Sequence, residues 1–181
     1  MGRRLKDIIL DLLNANRVMS ISTIRSDGWP QTTLAGYVND GFFLYCFIAR
    51  NSQKYANVLR DPRVSIAIGS DVSDPYTIRG LSLAARASLV DDHCEFDYVS
   101  ALRLKRYPEY RTMPQPAADN DAALRIAPKP PSETVALLRI APEIFSVVDY
   151  TKGFGHSDLI TFSERDLDLH IESVRHNWID K

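Results

Sequence analysis

The chain has 181 residues, which is enough to bury a sizeable core as a single domain. It carries 22 basic and 23 acidic side chains, for a formal net charge of -1, and 45% of its residues are hydrophobic. This balance excludes a general electrostatic attraction to nucleic acid or to an anionic membrane, so any anion site has to be local.

The N-terminal segment and the two cysteines narrow the class of protein further. The segment MGRRLKDIILDLLNANR has Asp7 and Asp11 inside its apolar portion, which breaks a signal-peptide core, and no apolar run approaches the length of a membrane span. Cys46 and Cys94 show no metal-ligand spacing. We therefore expect a cytoplasmic protein with two reduced thiols, no metal site and no contact with membranes.

The first part of the chain predicts one helix followed by strands. The apolar residues of LKDIILDLL recur at helical spacing, which indicates an amphipathic N-terminal helix. Residues 17–48 then follow the pattern of strands, and the sequences DG at 27–28 and NDG at 39–41 are typical of hairpin turns. We predict a three-stranded antiparallel meander over residues 17–48, with the strand FFLYCFI apolar on both faces.

A short helix, two strands and a longer helix follow. The short helix begins near Ser52 and ends before Pro62, because a proline disfavours helical geometry for the residue before it. RVSIAIG and YTIRGLSLAARASLVDD are predicted strands, with Gly80 at a bulge or a close approach of two backbones. CEFDYVSALRLKRYPEY predicts a helix that stops before Pro108.

The last part of the chain predicts an excursion, two strands and a terminal helix. Residues 111–131 hold five of the ten prolines and little periodicity, which indicates a long surface excursion. TVALLRIAPEIFSVVDYT and DLITF are predicted strands, and SERDLDLHIESVRHNW predicts a C-terminal helix. Residues 1–181 are thus expected to form one domain, mainly β with flanking α, built on a six- to seven-stranded antiparallel β-barrel.

Arg50, Ser52 and Lys54 lie at alternate positions where the third predicted strand gives way to the short helix. Ser52 can cap this helix, whose first N–H groups carry a partial positive charge that favours a phosphate. Lys54 adds a full charge, and Arg50 presents a planar fork to the same oxygens. Each charge-assisted hydrogen bond contributes about 1.5–3 kcal/mol, so the stretch predicts a phosphate site. The alternative is an ordinary cap beside two solvated charges.

The order of elements, with Arg-x-Ser-x-Lys after an apolar strand and RDPRVSIAI after the short helix, resembles the flavin-binding split-barrel superfamily typified by pyridoxamine 5'-phosphate oxidase. The resemblance covers residues 5–105 and, more loosely, 135–160. It implies a split β-barrel of the FMN-binding type in a homodimer, with FMN at the subunit interface. It also implies that Arg50, Ser52 and Lys54 hold the phosphate of FMN.

The resemblance implies that the second predicted strand lies along the polar edge of the isoalloxazine ring. Gln31, Thr32 and Thr33 suit this role, because a flat ring with alternating donors and acceptors needs matching groups at close range. Adjacent threonines are also common in ordinary strands, which is the alternative interpretation.

Four further residues correspond to family positions near the flavin. Tyr45, Cys46 and Phe47 of the third predicted strand match positions beside the ring, and plain barrel core is their alternative role. Ser82 matches a position that reaches the flavin from the partner subunit.

The loop YTKGFGH is a further candidate part of the site. Its two glycines let the backbone approach a ligand, while Lys152 and His156 supply charge or a proton. The alternative is a glycine turn with a solvated lysine and a surface histidine.

We predict an FMN-dependent oxidoreductase that acts on an unidentified small molecule. A flavin exchanges hydride or single electrons without an acid or base from the protein, so no catalytic residue is predicted. Pyridoxamine 5'-phosphate oxidases carry an arginine- and tryptophan-bearing motif near the C-terminus. Here Trp178 lies in RHNWIDK without that pattern, so vitamin B6 is not predicted as the substrate.

Other functions stay open at this stage. Relatives in the superfamily use a deazaflavin, or bind and degrade haem through a C-terminal histidine, for which His156 and His170 are candidates. A flavin-binding module without turnover is a third possibility. Binding of single-stranded nucleic acid is disfavoured, because the charge is near neutral and no basic stripe is present.

Overall fold

The computed structural model describes residues 2–111, 134–163 and 166–174. The helices are α1 (Gly2–Ala15), α2 (Gln53–Arg60) and α3 (His93–Arg106), with 3₁₀ turns at Pro75–Thr77, Pro108–Arg111 and Tyr150–Lys152. The strands are β1 (Val18–Ile24), β2 (Pro30–Gly36), β3 (Val38–Asp40), β4 (Phe43–Ala49), β5 (Arg63–Gly69), β6 (Arg79–Leu89), β7 (Val135–Asp149), β8 (Ser157–Ser163) and β9 (Asp166–Val174). The three helices predicted before residue 111 are therefore confirmed.

The strands of the described residues join one antiparallel sheet. Its main path has the order β2-β1-β5-β6-β7-β4-β3, while β8 pairs with β7 and β9 pairs with β8. The two ends of the path, β2 and β3, are separated along the chain by Tyr37 alone, a buried residue whose hydroxyl donates to the Leu13 carbonyl at 2.8 Å. Because the chain steps from one end of the sheet to the other, the sheet has to curl until its ends meet. The predicted mainly antiparallel split barrel with flanking helices is confirmed.

Two details differ from the predicted strands. The meander is confirmed in its β1–β2 and β3–β4 pairs, but β4 pairs with β7 instead of β2, since the chain bends at Tyr37 and divides the predicted second strand in two. The predicted C-terminal helix is wrong over residues 166–174, which form β9. In DLDLHIESV the apolar residues Leu167, Leu169 and Ile171 alternate with polar ones, and this two-residue period favours a strand. Of the predicted excursion over 111–131, Arg111 ends a 3₁₀ turn and residues 112–131 lie outside the described residues.

The barrel has a core inside and a smaller apolar layer outside. Leu5, Ile9 and Leu13 of α1 are buried in the main cluster with residues from β1 and β4–β8. A second cluster lies between α3 and the outer face of the sheet. Because side chains alternate along β4, Cys46 points into the barrel and Tyr45 points towards α3, so this strand is apolar on both faces as predicted.

Gly80 marks the predicted close approach of two strands. A Cβ atom at this position would lie 2.8 Å from the carbonyl oxygen of Ile68 on β5, so only glycine fits here without movement of the backbone. The irregularity in β6 lies instead between Ala84 and Ala85. The helices in the described part of the chain all lack the length and apolar character needed to cross a membrane.

Candidate functional site

The start of α2 carries the predicted phosphate-binding residues. Ser52 is its N-cap: the Ser52 hydroxyl accepts a hydrogen bond from the Tyr55 N–H at 3.2 Å and donates one to the Ala49 carbonyl at 2.7 Å. The capping role predicted for Ser52 is confirmed. Since the hydroxyl is committed to the cap, Ser52 acts on an anion mainly by fixing the helix start, where the N–H groups of Gln53 and Lys54 lack intrahelical acceptors.

Lys54 lies in the first turn of α2 and is half-buried. Burial lowers the pKa of its ammonium group. Within the described residues no carboxylate pairs with it, although a partly desolvated charge gains most from a counter-ion. The first turn of α2 also contains no acidic residue. Among the described residues the Lys54 charge is thus not paired with a carboxylate, which is the electrostatic condition for binding an anion.

Arg50 is held against the same helix. Its Nη1 donates to the Tyr55 hydroxyl at 2.8 Å, and its guanidinium carbon lies 5.6 Å from the centroid of the Tyr55 ring. The Arg50 backbone N–H donates to the Thr134 carbonyl at 2.9 Å, which ties the end of β4 to the segment that enters β7. Tyr55, a residue that the sequence analysis did not select, therefore fixes the direction in which Arg50 extends.

Asn57 is a second residue that the sequence analysis missed. It is 1% exposed, and its Nδ2 donates to Thr23 Oγ1 at 2.9 Å and to Gln31 Oε1 at 3.1 Å, while its Oδ1 accepts from Gln53 Nε2 at 3.0 Å. Through Asn57, α2 is hydrogen-bonded to β1 and β2 and the Gln31 side chain is oriented. The available signal was an asparagine on the apolar face of an amphipathic helix, where a buried polar group requires partners.

The three candidates on β2 divide between the two faces of the strand. Gln31 and Thr33 are half-buried on the face towards α2, whereas Thr32 points to the opposite face and shares a 2.8 Å hydrogen bond with Ser22. The Thr33 hydroxyl oxygen is buried and has no hydrogen-bond partner in the described structure. Thr33 therefore offers a vacant donor and acceptor beside Gln31, and Thr32 does not share their environment.

The candidate residues on β4 also lie on opposite faces of their strand. Cys46 is fully buried inside the barrel, where burial raises the pKa of its thiol to about 12 despite the opposing effect of the Lys54 charge. Tyr45 lies under α3 and its hydroxyl donates to Glu95 Oε1 at 2.9 Å; burial, together with this bond, raises the pKa of Tyr45 to about 12. Phe47 packs beside Tyr45 in the layer under α3.

Ser82 lies on the outer face of the sheet. It is exposed on β6, opposite Ala67 of β5 and Ser146 of β7. With Ser20 and Leu34 it lines an open groove of about 460 Å³, and Leu34 is 73% exposed. Small, hydroxyl and exposed apolar side chains on one flat face are features of a surface that another sheet can approach closely.

Lys152 and His156 lie at the opposite end of β7 from Arg50. Ala49 pairs with Val135 at the start of this 15-residue strand, whereas the loop follows its end, about 45 Å further along at roughly 3.3 Å per residue. In the loop, Lys152 Nζ lies 2.7 Å and His156 Nε2 lies 3.2 Å from Asp158 Oδ2. Burial alone would raise the pKa of Asp158, but these two partners outweigh it, so its pKa is lowered. In one chain, therefore, this cluster and the start of α2 lie at opposite ends of β7.

Known proteins resemble this chain in both sequence and structure. Residues 5–140 match the family model for pyridoxamine 5'-phosphate oxidase. The structure of a conserved hypothetical protein from Mycobacterium tuberculosis is 28% identical and has a TM-score of 0.62, covering 80% of this chain and 84% of that chain. No curated protein sequence matches the chain.

Two further solved structures have names that mention a ligand or cofactor. A structure described as an F420 reductase is 25% identical with a TM-score of 0.53, covering 75% of this chain and 94% of that chain. A haem-binding protein from Mycobacterium smegmatis is 19% identical with a TM-score of 0.66, covering 86% of this chain and 57% of that chain. At 19% identity, the second likeness concerns the fold alone.

Proposed function

Because the chain belongs to the pyridoxamine 5'-phosphate oxidase family, we propose that it is a single-domain FMN-binding protein and an FMN-dependent oxidoreductase acting on a small molecule. The observation that carries this proposal is the half-buried Lys54 ammonium, which has no carboxylate partner within the described residues and lies in the first turn of α2. A phosphate supplies the missing countercharge and accepts from the unpaired N–H groups at the helix start. Arg50, directed by Tyr55, extends beside the same turn.

The residues of β2 fit the other end of the cofactor. Within the described residues, Thr33 presents a buried hydroxyl without a hydrogen-bond partner, and Gln31 is held by Asn57 with its amide N–H groups left to donate. These groups match the carbonyl and imide positions on the edge of an isoalloxazine ring. When bound, FMN supplies hydride or single-electron transfer, and the chain's own residues bind and orient it. The Gln31–Asn57–Gln53 hydrogen bonds join the two ends of this site into one rigid support.

We also propose that the site is completed in a homodimer. Ser82 and the groove around it lie on an exposed sheet face, and the cluster of Lys152 and His156 lies too far along β7 to reach the start of α2 in the same chain. A second copy packed on this face offers one way for Ser82, Lys152 and His156 to reach a cofactor. This arrangement supports cofactor contacts from both subunits.

A deazaflavin is the second candidate cofactor. Coenzyme F420 is a deazaflavin, and the structure described as an F420 reductase is 25% identical to this chain and covered over 94% of its length. F420 also carries a phosphate, so the charges at the start of α2 serve either molecule. Haem receives less support, because the haem-binding protein is 19% identical to this chain and that likeness concerns the fold alone.

The test is a comparison of FMN with riboflavin, which has the same ring and no phosphate. Quenching of flavin fluorescence is measured for the wild-type protein and for the double variant Arg50→Ala, Lys54→Ala. We expect FMN to bind at least about 10-fold more tightly than riboflavin, since one charge-assisted hydrogen bond contributes about 1.5–3 kcal/mol. We expect the double variant to lose this preference. A matched control, Arg25→Ala with Lys105→Ala, removes two exposed charges and keeps the preference.

Equal affinity for FMN and riboflavin in the wild type would refute the phosphate assignment. F420 and haem are titrated in parallel by absorbance. Tight binding of F420 with weak binding of FMN selects the deazaflavin, and a Soret band that disappears in His156→Ala selects haem. Reduction of the bound flavin by NADH or NADPH, followed by reoxidation with quinone, then distinguishes an enzyme from a module without turnover.

A further inference from the structure

Two polar residues lie on the core-facing side of α3. Phe96 and Val99 of this helix, and Tyr107 at its C-cap, are buried against the sheet. Ser100 and Arg103 continue the same stripe, because positions 96, 100, 103 and 107 recur with the helical period. A serine and an arginine thus occupy positions at which the fold alone favours apolar side chains.

The buried polar atoms of these two side chains lack hydrogen-bond partners among the described residues. Four buried side-chain polar atoms have no hydrogen-bond partner in the described part of the chain, and three of them are Ser100 Oγ, Arg103 Nε and Arg103 Nη2. Nε and Nη2 form the edge of the guanidinium that binds both oxygens of a carboxylate. Residues three apart are neighbours on a helix surface, so Ser100 and Arg103 lie on the same side of α3. These three atoms are hydrogen-bond donors without an acceptor among the described residues.

The surroundings of Arg103 add an unbalanced charge and an apolar wall. Its guanidinium carbon lies 4.1 Å from the ring centroid of Phe47 and 5.3 Å from that of Tyr110. Burial lowers the pKa of Arg103. Glu95 and Glu109, two carboxylates at either end of this face, pair with other side chains. The buried positive charge therefore has aromatic contacts and no anionic partner among the described residues.

We propose that Ser100 and Arg103 form an oxyanion site for a small aromatic carboxylic acid, separate from the site at the start of α2. The Nε–Nη2 edge of Arg103 binds both carboxylate oxygens, and the Ser100 hydroxyl donates to one of them. Phe47 and Tyr110 provide apolar surface for the ring of the acid. The Arg103 side chain as a whole is only partly buried, but its Nε and Nη2 are covered in the free protein, so binding requires a movement of the side chains that cover this edge. This proposal does not depend on the identity of the cofactor.

The test follows the arginine Nε–H signals by ¹H–¹⁵N NMR of the full-length protein. Benzoate, acetate and inorganic phosphate are added in separate titrations at constant ionic strength. We expect benzoate to shift one Nε–H signal saturably with a Kd in the millimolar range, and acetate to bind more weakly because it lacks the ring. The Arg103→Lys variant assigns this signal, since it keeps the charge and removes the two-donor edge.

Two controls make the result specific. Arg25→Lys changes an exposed arginine in the β1–β2 turn and is expected to leave the benzoate shift unchanged. Ser100→Ala is expected to weaken benzoate binding several-fold while the Arg103 signal still responds. The proposal is overturned if no Nε–H signal responds to benzoate in the wild type, if phosphate binds more tightly than benzoate, or if the response survives in Arg103→Lys. The wild-type titration decides the question even if a variant fails to fold.

Discussion

Replacing Lys54 with methionine is expected to stabilise the protein without cofactor and to weaken its binding of FMN. The Lys54 ammonium is half-buried and its pKa is lowered by burial, so folding disfavours the charged form. Methionine keeps the length of the side chain and removes the charge. The same group that costs stability in the free protein is the one proposed to bind the phosphate.

The expected changes in stability and in FMN affinity follow from the environment of the Lys54 ammonium. Removing an unfavourable charge of this kind typically adds about 0.5–1 kcal/mol, which for a chain of this size raises the Tm by about 1–4 °C. The loss of one charge-assisted hydrogen bond, about 1.5–3 kcal/mol, weakens FMN binding about 10- to 100-fold. Because the folded-state pKa is lowered, the stability cost of the ammonium is full below that pKa and is relieved as the pH rises towards 10.5. The stability difference between wild type and variant should therefore shrink in alkaline solution.

Calorimetry of the cofactor-free proteins between pH 7 and pH 10, with fluorescence titration of FMN, measures both effects. Lys105→Met, which removes an exposed lysine from α3, is the matched control and should change neither quantity. A Lys54→Met protein that is less stable than wild type, or that binds FMN equally well, would show that Lys54 is an ordinary surface lysine.

Three other substitutions test the support of the site and the fold. Asn57→Ala removes a hydrogen-bond partner from the buried Thr23 on β1 and from the half-buried Gln31 on β2, and we expect urea unfolding to show a loss of about 2–3 kcal/mol together with weaker FMN binding. Gly80→Ala forces a Cβ against the Ile68 carbonyl at 2.8 Å and should cost about 1–3 kcal/mol, whereas Gly36→Ala, with its nearest contact at 3.8 Å, should be nearly neutral. Asp158→Asn should lower the Tm at pH 7. Since the folded-state pKa of Asp158 is lowered, that difference should decline as the pH falls below 3.8, and a constant difference would refute the assigned ion pairs.

Local sequence patterns predicted most of the secondary structure. The helical spacing in α1 and α3, the Ser52 cap and the Pro62 stop in α2 each act within a few residues, and the structure confirms them. Two features were not accessible to local patterns. The pairing of β4 with β7 joins distant segments of the chain, and the division of β2 from β3 depends on the bend that places Tyr37 under α1. For β9 the failure was one of interpretation, because its two-residue alternation is present in the sequence.

The candidate site was predicted less completely than the fold. Arg50, Ser52 and Lys54 are neighbours in sequence, so a local motif suffices to bring them together. For β2 and β4, in contrast, neighbouring residues in the sequence were all predicted to contact one ligand. Alternate side chains of a strand point to opposite faces, so only some of these residues can do so. This is why Thr32 separates from Thr33. The position of Lys152 at the far end of β7 depends on strand length and register, which the motif itself does not carry.

Polar residues on the core-facing sides of helices indicate either a supporting hydrogen-bond network or a candidate ligand site. Asn57 and Arg103 both occupy such positions, and each incurs the cost of burying a polar group. For Asn57, three side-chain hydrogen bonds within the chain offset the cost of burial, so its role is to support the structure. Arg103 leaves a two-donor edge without an acceptor, as Lys54 leaves an ammonium without a carboxylate partner in the described residues. Buried polar groups whose hydrogen bonds are satisfied inside the chain support its structure. Buried polar groups without such partners are candidate ligand-binding positions.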